Sequence, residues 1–386
     1  MNRDIVRLDD RHRDAVWALS RLAFGGDPAA PTPAAHPGEV TYGIEDGTGG
    51  LLASASVRSL SQWWGGRMVP MGGVAGVAVH PDGRGRGMAR RLLRSLLPQM
   101  LEAGQAVSVL FPTAVGLYRP LGWEVVGSLD HTLLPTALLR DAGDPVGVHV
   151  RTAGEDDVAA VQELYRWYGE TSAGLLTREG QAGPSGVLSH DVVALAEDDD
   201  GVPLGYAAYD RGRGYGADAV VTVHEVVARS GEAGAALLRS LGSWDSVAPS
   251  VRWRGPTEEL ALELPGQVPP PQRVQPWMLR IVDAEAAIGA RGFAPAATVD
   301  ASFALVDPDV PGHDGAWRLV VADGRGELER TPRSVDLPLL HVRGLALLYA
   351  GAADTGLLLR TGLLDRPMPT LDAAFAGPRP RVLDYF

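Results

Sequence analysis

The sequence contains no cysteine and no lysine, and these two absences exclude several kinds of chemistry. Without thiols there is no disulfide framework, no thiolate nucleophile and no cysteine-ligated metal. Without lysine there is no amine to form a Schiff base, and all 35 basic residues are arginine. The nine histidines do not recur at the short spacings at which two imidazoles share one metal ion, so we expect no metal in catalysis.

Long apolar runs are also missing. No stretch approaches the roughly 18 apolar residues of a membrane span, and residues 1–16 contain no apolar run. We therefore expect a cytoplasmic protein that does not bind a membrane. The formal net charge of −12 opposes binding to nucleic acids and favours cationic ligands. With 386 residues the chain exceeds one ordinary core, which predicts two or three domains.

Two parts of the sequence repeat one order of elements. A strand, a polar turn and an amphipathic helix over residues 5–24 recur over residues 148–165. A second strand, a turn and a helix over residues 72–101 recur over residues 220–241. The repeat predicts two copies of one α/β domain, joined through residues 140–147, which are rich in aspartate, glycine and proline.

The last third of the chain has a different pattern. The proline-rich residues 265–276 cannot form a helix or an inner strand, and they mark a loop or boundary. Beyond them, three alternating runs between residues 302 and 331 predict antiparallel strands, and helical segments are predicted over residues 337–349 and 371–375. This part is therefore predicted to be a small α+β domain. The three predicted domains are residues 1–143, 144–283 and 284–386.

The strongest chemical signal is the turn from Arg84 to Ala89, which reads Arg-Gly-Arg-Gly-Met-Ala between a predicted strand and a predicted helix. A helix N-terminus presents unbonded N–H groups and the positive end of the dipole, which together bind pyrophosphate. Gly85 and Gly87 remove side chains that would block this approach. The turn resembles the Arg/Gln-x-x-Gly-x-Gly/Ala motif of the GCN5-related N-acetyltransferases (GNAT), although an ordinary surface turn can have the same composition.

A second motif follows the predicted strand over residues 107–111. The sequence from Thr113 to Trp123 resembles the GNAT helix and turn in which a tyrosine precedes a glycine-aromatic pair. In that family the tyrosine hydroxyl lies near the thioester sulfur. A phenol of pKa about 10 can protonate a departing thiolate of pKa about 8.5. The resemblance therefore makes Tyr118 a general acid, and the alternative is a packed aromatic residue.

The second copy has lost the glycine motif. Its junction reads Ala-Arg-Ser-Gly-Glu from Ala228 to Glu232. The carboxylate of Glu232 would repel a pyrophosphate and take its place at the helix N-terminus. We interpret this copy as a catalytically silent scaffold.

The order of the domains resembles that of one particular family of GNAT enzymes. An active GNAT domain, a degenerate GNAT domain and a domain similar to sterol carrier proteins occur in this order in the enhanced intracellular survival (Eis) family of acetyltransferases. The stretches that carry the resemblance are residues 74–79, 277–282, 290–293 and 371–375. The expected fold is α/β and α+β, with tandem GNAT domains (N-terminal active, central degenerate) followed by a sterol-carrier-protein-like α+β domain.

The resemblance also implies the site. In the Eis family the terminal carboxylate is the general base and the tyrosine the general acid, which here would be Phe386 and Tyr118. The tail over residues 382–386 is apolar enough to dock, although chain ends commonly fray. Acetyl-CoA would contact Val77, Ala78, Val79, Arg84, Gly85, Arg86, Gly87, Met88, Ala89, Arg90, Thr113 and Ala114. Candidates to line the acceptor pocket are Phe24, Asp27, Trp63 and Trp64, although tryptophans at such positions are more often in the core.

The sequence thus predicts direct transfer of acetyl from acetyl-CoA to a primary amine, without a covalent enzyme intermediate. The resemblance implies an aminoglycoside or a lysine-bearing peptide as the acceptor, and a homo-hexamer. Two alternatives remain. One is a lipid- or partner-binding protein with a vestigial acyltransferase domain, and the other is an acyltransferase that uses a longer acyl-CoA.

Overall fold

The computed structural model describes residues 4–27, 29–178, 189–332 and 336–386. The chain folds into two compact units. Unit 1 comprises the described residues up to Gly127, together with Trp277–Pro380 and Phe386. Unit 2 comprises Ser128–Pro276 and Arg381–Tyr385. No helix in the described part of the chain is long and apolar enough to cross a membrane.

Strands and helices alternate along most of the chain. The strands in the described residues are β1 (Val6–Arg7), β2 (Glu39–Glu45), β3 (Leu51–Trp64), β4 (Arg67–Val79), β5 (Val107–Leu110), β6 (Glu124–Pro135), β7 (Val148–Thr152), β8 (Val192–Asp198), β9 (Pro203–Asp210), β10 (Val220–Ala228), β11 (Ser250–Arg254), β12 (Arg273–Ile281), β13 (Val299–Val306), β14 (Gly315–Ala322), β15 (Arg325–Arg330) and β16 (Leu339–His341). The helices in those residues are α1 (Arg13–Phe24), α2 (Met88–Glu102), α3 (Val115–Tyr118), α4 (Val158–Glu170), α5 (Gly231–Gly242), α6 (Glu258–Glu263), α7 (Ala284–Ala290), α8 (Val342–Ala350), α9 (Thr355–Arg360) and α10 (Pro369–Phe375).

The larger sheet of unit 1 has the strand order β1-β2-β3-β4-β5-β12. The strands are antiparallel neighbours except β4 and β5, which run parallel and pair from Met71 with Val107 to Val74 with Leu110. Strand β5 ends at Leu110, whereas β4 continues to Val79. The two parallel strands therefore separate after Val74, and the end of β4 has no β5 residue beside it.

The core of unit 1 is built on the apolar face of α2. Leu92, Leu93, Leu96 and Leu97 are buried against the larger sheet, as their helical spacing predicts. A second, four-stranded sheet has the order β15-β14-β13-β16, and α7 and α10 pack against it. Inside this unit the fully buried Arg280 donates hydrogen bonds to the carboxylate of Asp307.

Unit 2 repeats the arrangement of the larger sheet. Its strand order is β6-β11-β10-β9-β8-β7, and only β10 and β11 run parallel. Helix α5 connects these two parallel strands, as α2 connects β4 and β5. Leu237, Leu238 and Leu241 of α5 are buried in the core of unit 2. The repeat predicted from the sequence is therefore present in the fold.

Two local predictions were wrong. The helix predicted over residues 337–349 begins only at Val342, because residues 339–341 form β16, which pairs in parallel with β13. A neighbouring strand here overrides the helical pattern. The predicted proline-rich boundary also ends earlier than expected, since β12 starts at Arg273 and includes Pro276. Its pairing with β5 begins beyond this proline, at Met278.

Candidate active site

The N-terminus of α2 is open to an anionic ligand. Its capping residue Gly87 has a left-handed backbone with φ of 71°, and no side chain bonds to the cap. Gly85 has φ of 72°. A Cβ atom built on either glycine would meet no atom within 4 Å, and the first turn of α2 contains no acidic residue. The unbonded N–H groups of this helix end therefore face space rather than protein.

The turn before α2 also concentrates positive charge. Arg84, Arg86 and Arg90 are exposed, and none of them has an ion pair with a described residue. The Arg84 Nε atom lies 3.5 Å from the carbonyl oxygen of Val79, where it donates a weak hydrogen bond. Uncompensated guanidinium groups beside a helix N-terminus are a combination that binds phosphate groups in proteins.

The end of β4 forms a second opening beside this turn. The pairing with β3 shifts between Ser54 and Ser56, which bond opposite Ala78 and Ala75. Gly76 lies in this bulge with φ of 58°. Val77, Ala78 and Val79 follow the bulge, beyond the last residue of β5. Their backbone on the β5 side is therefore available to an extended ligand, as a strand edge is.

Tyr118 is the last residue of α3 and is 4% exposed. Its ring packs edge-to-face with Trp123 at a centroid distance of 6.5 Å, in the same core cluster as α2. Thr113 and Ala114, which come just before α3, are exposed. The structure thus places Tyr118 and this connection in the unit that holds the glycine turn, and it shows that the Tyr118 ring also serves packing.

The last residue of the chain lies where β4 and β5 separate. A Cβ atom on Gly73 would lie 2.8 Å from the Phe386 ring, and the Phe111 ring is 5.5 Å from it, edge-on. Gly73 pairs with Val109, one residue before the final β4–β5 pair. Because only a glycine leaves room for this ring, the sequence of β4 fits the docked position of Phe386.

The residues before Phe386 are anchored in unit 2. Val382 and Leu383 are buried, and the carboxylate of Asp384 accepts a hydrogen bond of 2.9 Å from Arg178. Arg178 also donates to the buried carboxylate of Glu225. Burial opposes the charge of Arg178, but Asp384 and Glu225 hold its pKa above the ordinary value. The C-terminal tail is therefore a docked segment rather than a frayed end.

The matching helix end in unit 2 is already occupied. The Ser230 hydroxyl accepts a hydrogen bond of 3.2 Å from the N–H of Ala233 and caps α5. Glu232 lies in the first turn, and hydrogen bonds from its own backbone and from Ser230 lower its pKa. Side chains of the protein thus take the position that the turn before α2 leaves open.

The predicted acceptor residues divide into two pairs. Phe24 at the end of α1 is 51% exposed, and Asp27 just beyond it is exposed as well. Trp63 is only 5% exposed and Trp64 is fully buried, with the Trp64 ring 5.3 Å from that of Tyr349. These two tryptophans are core residues of unit 1, which disagrees with the expectation that they line an open pocket. The reason is that β3 carries both of them inside the unit.

One cluster of possible metal ligands escaped the sequence analysis. His190, Asp210 and His224 of unit 2 place their ligand atoms within 4.8 Å of one another. Asp210 bonds to both imidazoles, at 3.1 Å and 2.7 Å, and the two rings stack at 4.1 Å. Arg254 bonds to the remaining ring nitrogen of His224 at 2.7 Å. Burial and the neighbouring charges of His190 and Arg254 lower the pKa of His224, so this cluster is a hydrogen-bonded network beside a cation.

Three protein-family profiles match consecutive parts of the chain. Residues 4–126 and residues 166–281 each match an acetyltransferase (GNAT) domain. Residues 284–383 match a sterol carrier protein domain. The predicted fold class, two GNAT domains followed by a sterol-carrier-like domain, is therefore confirmed. No curated protein matches the sequence of the chain.

Solved structures match the chain over its full length. A GCN5-related N-acetyltransferase from Kribbella flavida is 35% identical, with a TM-score of 0.83, over 99% of this chain and 98% of the other. One from Anabaena variabilis is 24% identical, with a TM-score of 0.86, over 99% and 100%. Eis1 from Mycobacterium abscessus shares the fold at 20% identity and a TM-score of 0.75, over 99% and 100%. This chain, with its Eis-like fold, belongs to the GCN5-related N-acetyltransferases.

Proposed function

We propose that this protein is a cytoplasmic enzyme that transfers the acetyl group of acetyl-CoA directly to a primary amine. The observation that carries the proposal is the open N-terminus of α2, where Gly85 and Gly87 adopt left-handed backbones and leave free space. A pyrophosphate is the ligand that such a helix end and the three unpaired arginines around it fit best. Acetyl-CoA carries a pyrophosphate, which links the site to the family's chemistry.

The cofactor-binding residues follow from this placement. The N–H groups of Gly85 to Arg90 would hold the pyrophosphate, because they surround the capping Gly87. Arg84 would contribute its guanidinium, since its own N–H bonds to the carbonyl oxygen of Pro81. The bulged end of β4 over Val77–Val79 would bond to the pantetheine arm in place of the missing β5 strand. Thr113 and Ala114 follow the end of β5 and would border the same arm.

Two groups of the chain would move protons. The Tyr118 hydroxyl would donate to the thiolate that leaves, and a phenol pKa of about 10 is suited to a thiolate pKa of about 8.5. The terminal carboxylate of Phe386 would accept the proton of the attacking ammonium. Its ordinary pKa of about 3.5 is too low for this step in water, but desolvation raises it and a bridging water can relay the proton. The docked ring of Phe386 supports this role.

The acceptor is proposed to be cationic. The net charge of −12 attracts amines, and Phe24 and Asp27 offer an exposed aromatic ring and a carboxylate beyond α1. Cation–π and charge interactions of this type select ammonium groups. An aminoglycoside or a lysine-bearing peptide meets this requirement, and by analogy with the Eis family we propose that a homo-hexamer is the working form.

The experiment is an acyl-transfer assay. The purified protein is incubated with acetyl-, propionyl- or octanoyl-CoA and with an aminoglycoside, a lysine-bearing peptide or no amine. A thiol reagent measures CoA release, and mass spectrometry measures the amide. We expect amine-dependent release, fastest with acetyl-CoA, and one amide for each thiol. Faster turnover of octanoyl-CoA would contradict the acyl group proposed, and no turnover with any of them by folded protein would contradict the enzyme itself.

A further inference from the structure

Unit 2 contains a cavity of about 460 Å³ on one face of its sheet, far along the chain from the glycine turn. Arg252 and Arg254 of β11 line it, together with Arg273 at the start of β12 and His131 of β6. Alternate residues of a strand project from the same face, so Arg252 and Arg254 lie side by side. Arg254 is paired directly opposite His131 across the β11–β6 ladder. Four basic side chains therefore share one concave surface.

The charge of this surface is not compensated. No acidic side chain lines the cavity, although the chain as a whole has a net charge of −12. Arg252 and Arg273 form no ion pair with any described residue. Burial lowers the pKa of His131, and the charges of Arg254, Arg273 and Arg252 lower it further. The same field that disfavours a proton on His131 favours a bound anion.

The carboxylates that act on Arg254 from nearby are already engaged elsewhere. They belong to Asp384, Glu225 and Asp210. Arg178 binds the first two, and the imidazoles of the His190–His224 pair bind the third. The hydrogen bond that Arg254 donates goes to a neutral acceptor, the Nδ1 atom of His224. Arg254 therefore keeps its positive charge toward the cavity.

The buried Nε atom of Arg254, which lines this cavity, has no hydrogen-bond partner among the described residues. Buried donors are nearly always satisfied, because an unpaired one has lost its hydrogen bonds to water. A guanidinium N–H that faces a cationic cavity fits an anionic oxygen.

We propose that this cavity binds a small organic polyanion that carries two or more phosphate or carboxylate groups. Guanidinium groups bind such oxygens in bidentate pairs, and three arginines offer donors for more than one anionic group. The volume lies within the range of about 300–1,000 Å³ that is usual for small-ligand sites. A nucleic acid is disfavoured by the strongly acidic chain. The site lies in the copy whose helix end is capped by its own side chains, so it does not depend on acetyl-CoA binding.

The test uses isothermal titration calorimetry of the full chain with inorganic pyrophosphate, tripolyphosphate and citrate. The titrated protein carries Gly87→Glu, which blocks the turn before α2, and CoA is left out because it is itself a polyanion. We expect one site per chain and weaker binding at higher salt. The variant Arg252→Gln/Arg273→Gln should bind at least about 10-fold more weakly, since hydrogen bonds to charged groups contribute about 1.5–3 kcal/mol each. Arg213→Gln, an exposed change in unit 2 outside the cavity, should bind as the unchanged protein does.

A second readout is the imidazole of His131, followed by NMR. A bound anion should raise its pKa, because it offsets the field of the three arginines. Tighter binding of pyrophosphate would assign the ligand to phosphorylated compounds, and tighter binding of citrate to polycarboxylates. The proposal is overturned if none of the probes binds at millimolar concentration, or if the double variant, folded by circular dichroism, binds them equally well. Neither result bears on acetyl transfer, which is assayed separately.

Discussion

The two copies of the GNAT domain place a helix at the same point of the fold and use its N-terminus in opposite ways. Helix α2 follows β4 through residues 80–87, whereas α5 follows β10 through residues 229 and 230 alone. The longer connection has room for two left-handed glycines that expose the helix end. The shorter one places Ser230 directly at the cap. One fold thus yields either an open or a self-capped helix end, and the turn decides which.

The parallel strands next to these helices differ as well. Beyond the last β4–β5 pair, the strand continues as the bulged residues 75–79, which carry small and apolar side chains. Beyond the last β10–β11 pair, the strand continues with His224 and the buried Glu225, and Arg178 binds the latter. The second copy therefore has charged networks where the first has an open strand edge, so restoring its turn alone would not restore a cofactor site.

The largest effect is expected from exchanging these helix ends. Gly87→Glu adds a side chain at a left-handed position and a negative charge where the pyrophosphate would lie, so CoA binding should be lost. Gly231→Glu adds the same side chain at the first residue of α5, next to the cap Ser230, and there CoA binding should be unchanged. Calorimetry measures both, and the unchanged protein should bind one CoA per chain. If Gly87→Glu bound CoA with the same affinity as the unchanged protein, the turn before α2 would not be the pyrophosphate site.

The tail gives the next largest effect, because its last residue, Phe386, packs against Gly73 and Phe111 of unit 1. A short peptide added after Phe386 replaces the carboxylate by a neutral amide and moves the charge about 3.3–3.6 Å per residue. Activity should collapse, whereas CoA binding and thermal stability should remain. Phe386→Ala keeps a terminal carboxylate and should lose less activity. A tagged, folded enzyme with the untagged turnover rate would mean that the carboxylate is not the base.

A buried and an exposed ion pair of unit 1 offer a comparison of their contributions to stability. Burial would raise the pKa of Asp307, but His313 and Arg280 lower it to about 2. The charged carboxylate of Asp307 therefore stabilises the fold above pH of about 4, and this stabilisation is lost as the pH falls toward 2. Asp307→Asn leaves Arg280 buried without a counterion and should lower the free energy of unfolding by about 3–5 kcal/mol at pH 7.

Urea unfolding at pH 7 and pH 3 measures this effect. The matched control is Asp300→Asn, which breaks the exposed pair with Arg318 and should change little. A stability of Asp307→Asn that equals that of the control would show that the buried pair contributes nothing.

Tyr118 distinguishes catalysis from packing in the first copy. Tyr118→Phe removes the proton donor but keeps the ring against Trp123, so kcat should fall about 100-fold with little change in CoA affinity. Single-turnover kinetics of thiol release measures the chemical step, and calorimetry measures the CoA affinity. An unchanged kcat would leave Tyr118 with a packing role only.

The smallest effect is expected at the capped helix of the second copy. Ser230→Ala removes the bond to the N–H of Ala233 and should cost about 1 kcal/mol of stability. Acetyl transfer should be unaffected, since we expect no cofactor at this self-capped helix end. Denaturation and the transfer assay check the two parts, and a marked loss of activity at full stability would mean that the second copy is not silent.

The sequence by itself determined those features that depend on a few consecutive residues. The open turn requires only that Gly85 and Gly87 precede the apolar stripe of α2, because positive φ angles and an uncapped helix end are local properties. The self-capped start of α5 could likewise be predicted from Ser230 and Glu232. The tandem domain order follows from the repetition of such local patterns, and the fold confirms it.

Only the tertiary structure decided which distant residues become neighbours. Strand pairing brings His190 beside His224 and places Arg254 opposite His131, at separations along the chain that no motif records. It also encloses Trp64, whose sequence context suits an exposed pocket equally well. Adjacent strands lie about 4.8 Å apart whatever the length of chain between them. The polar cluster, the cationic cavity and the docked Phe386 ring therefore depend on strand register. The spacing of residues in the sequence does not reveal that register.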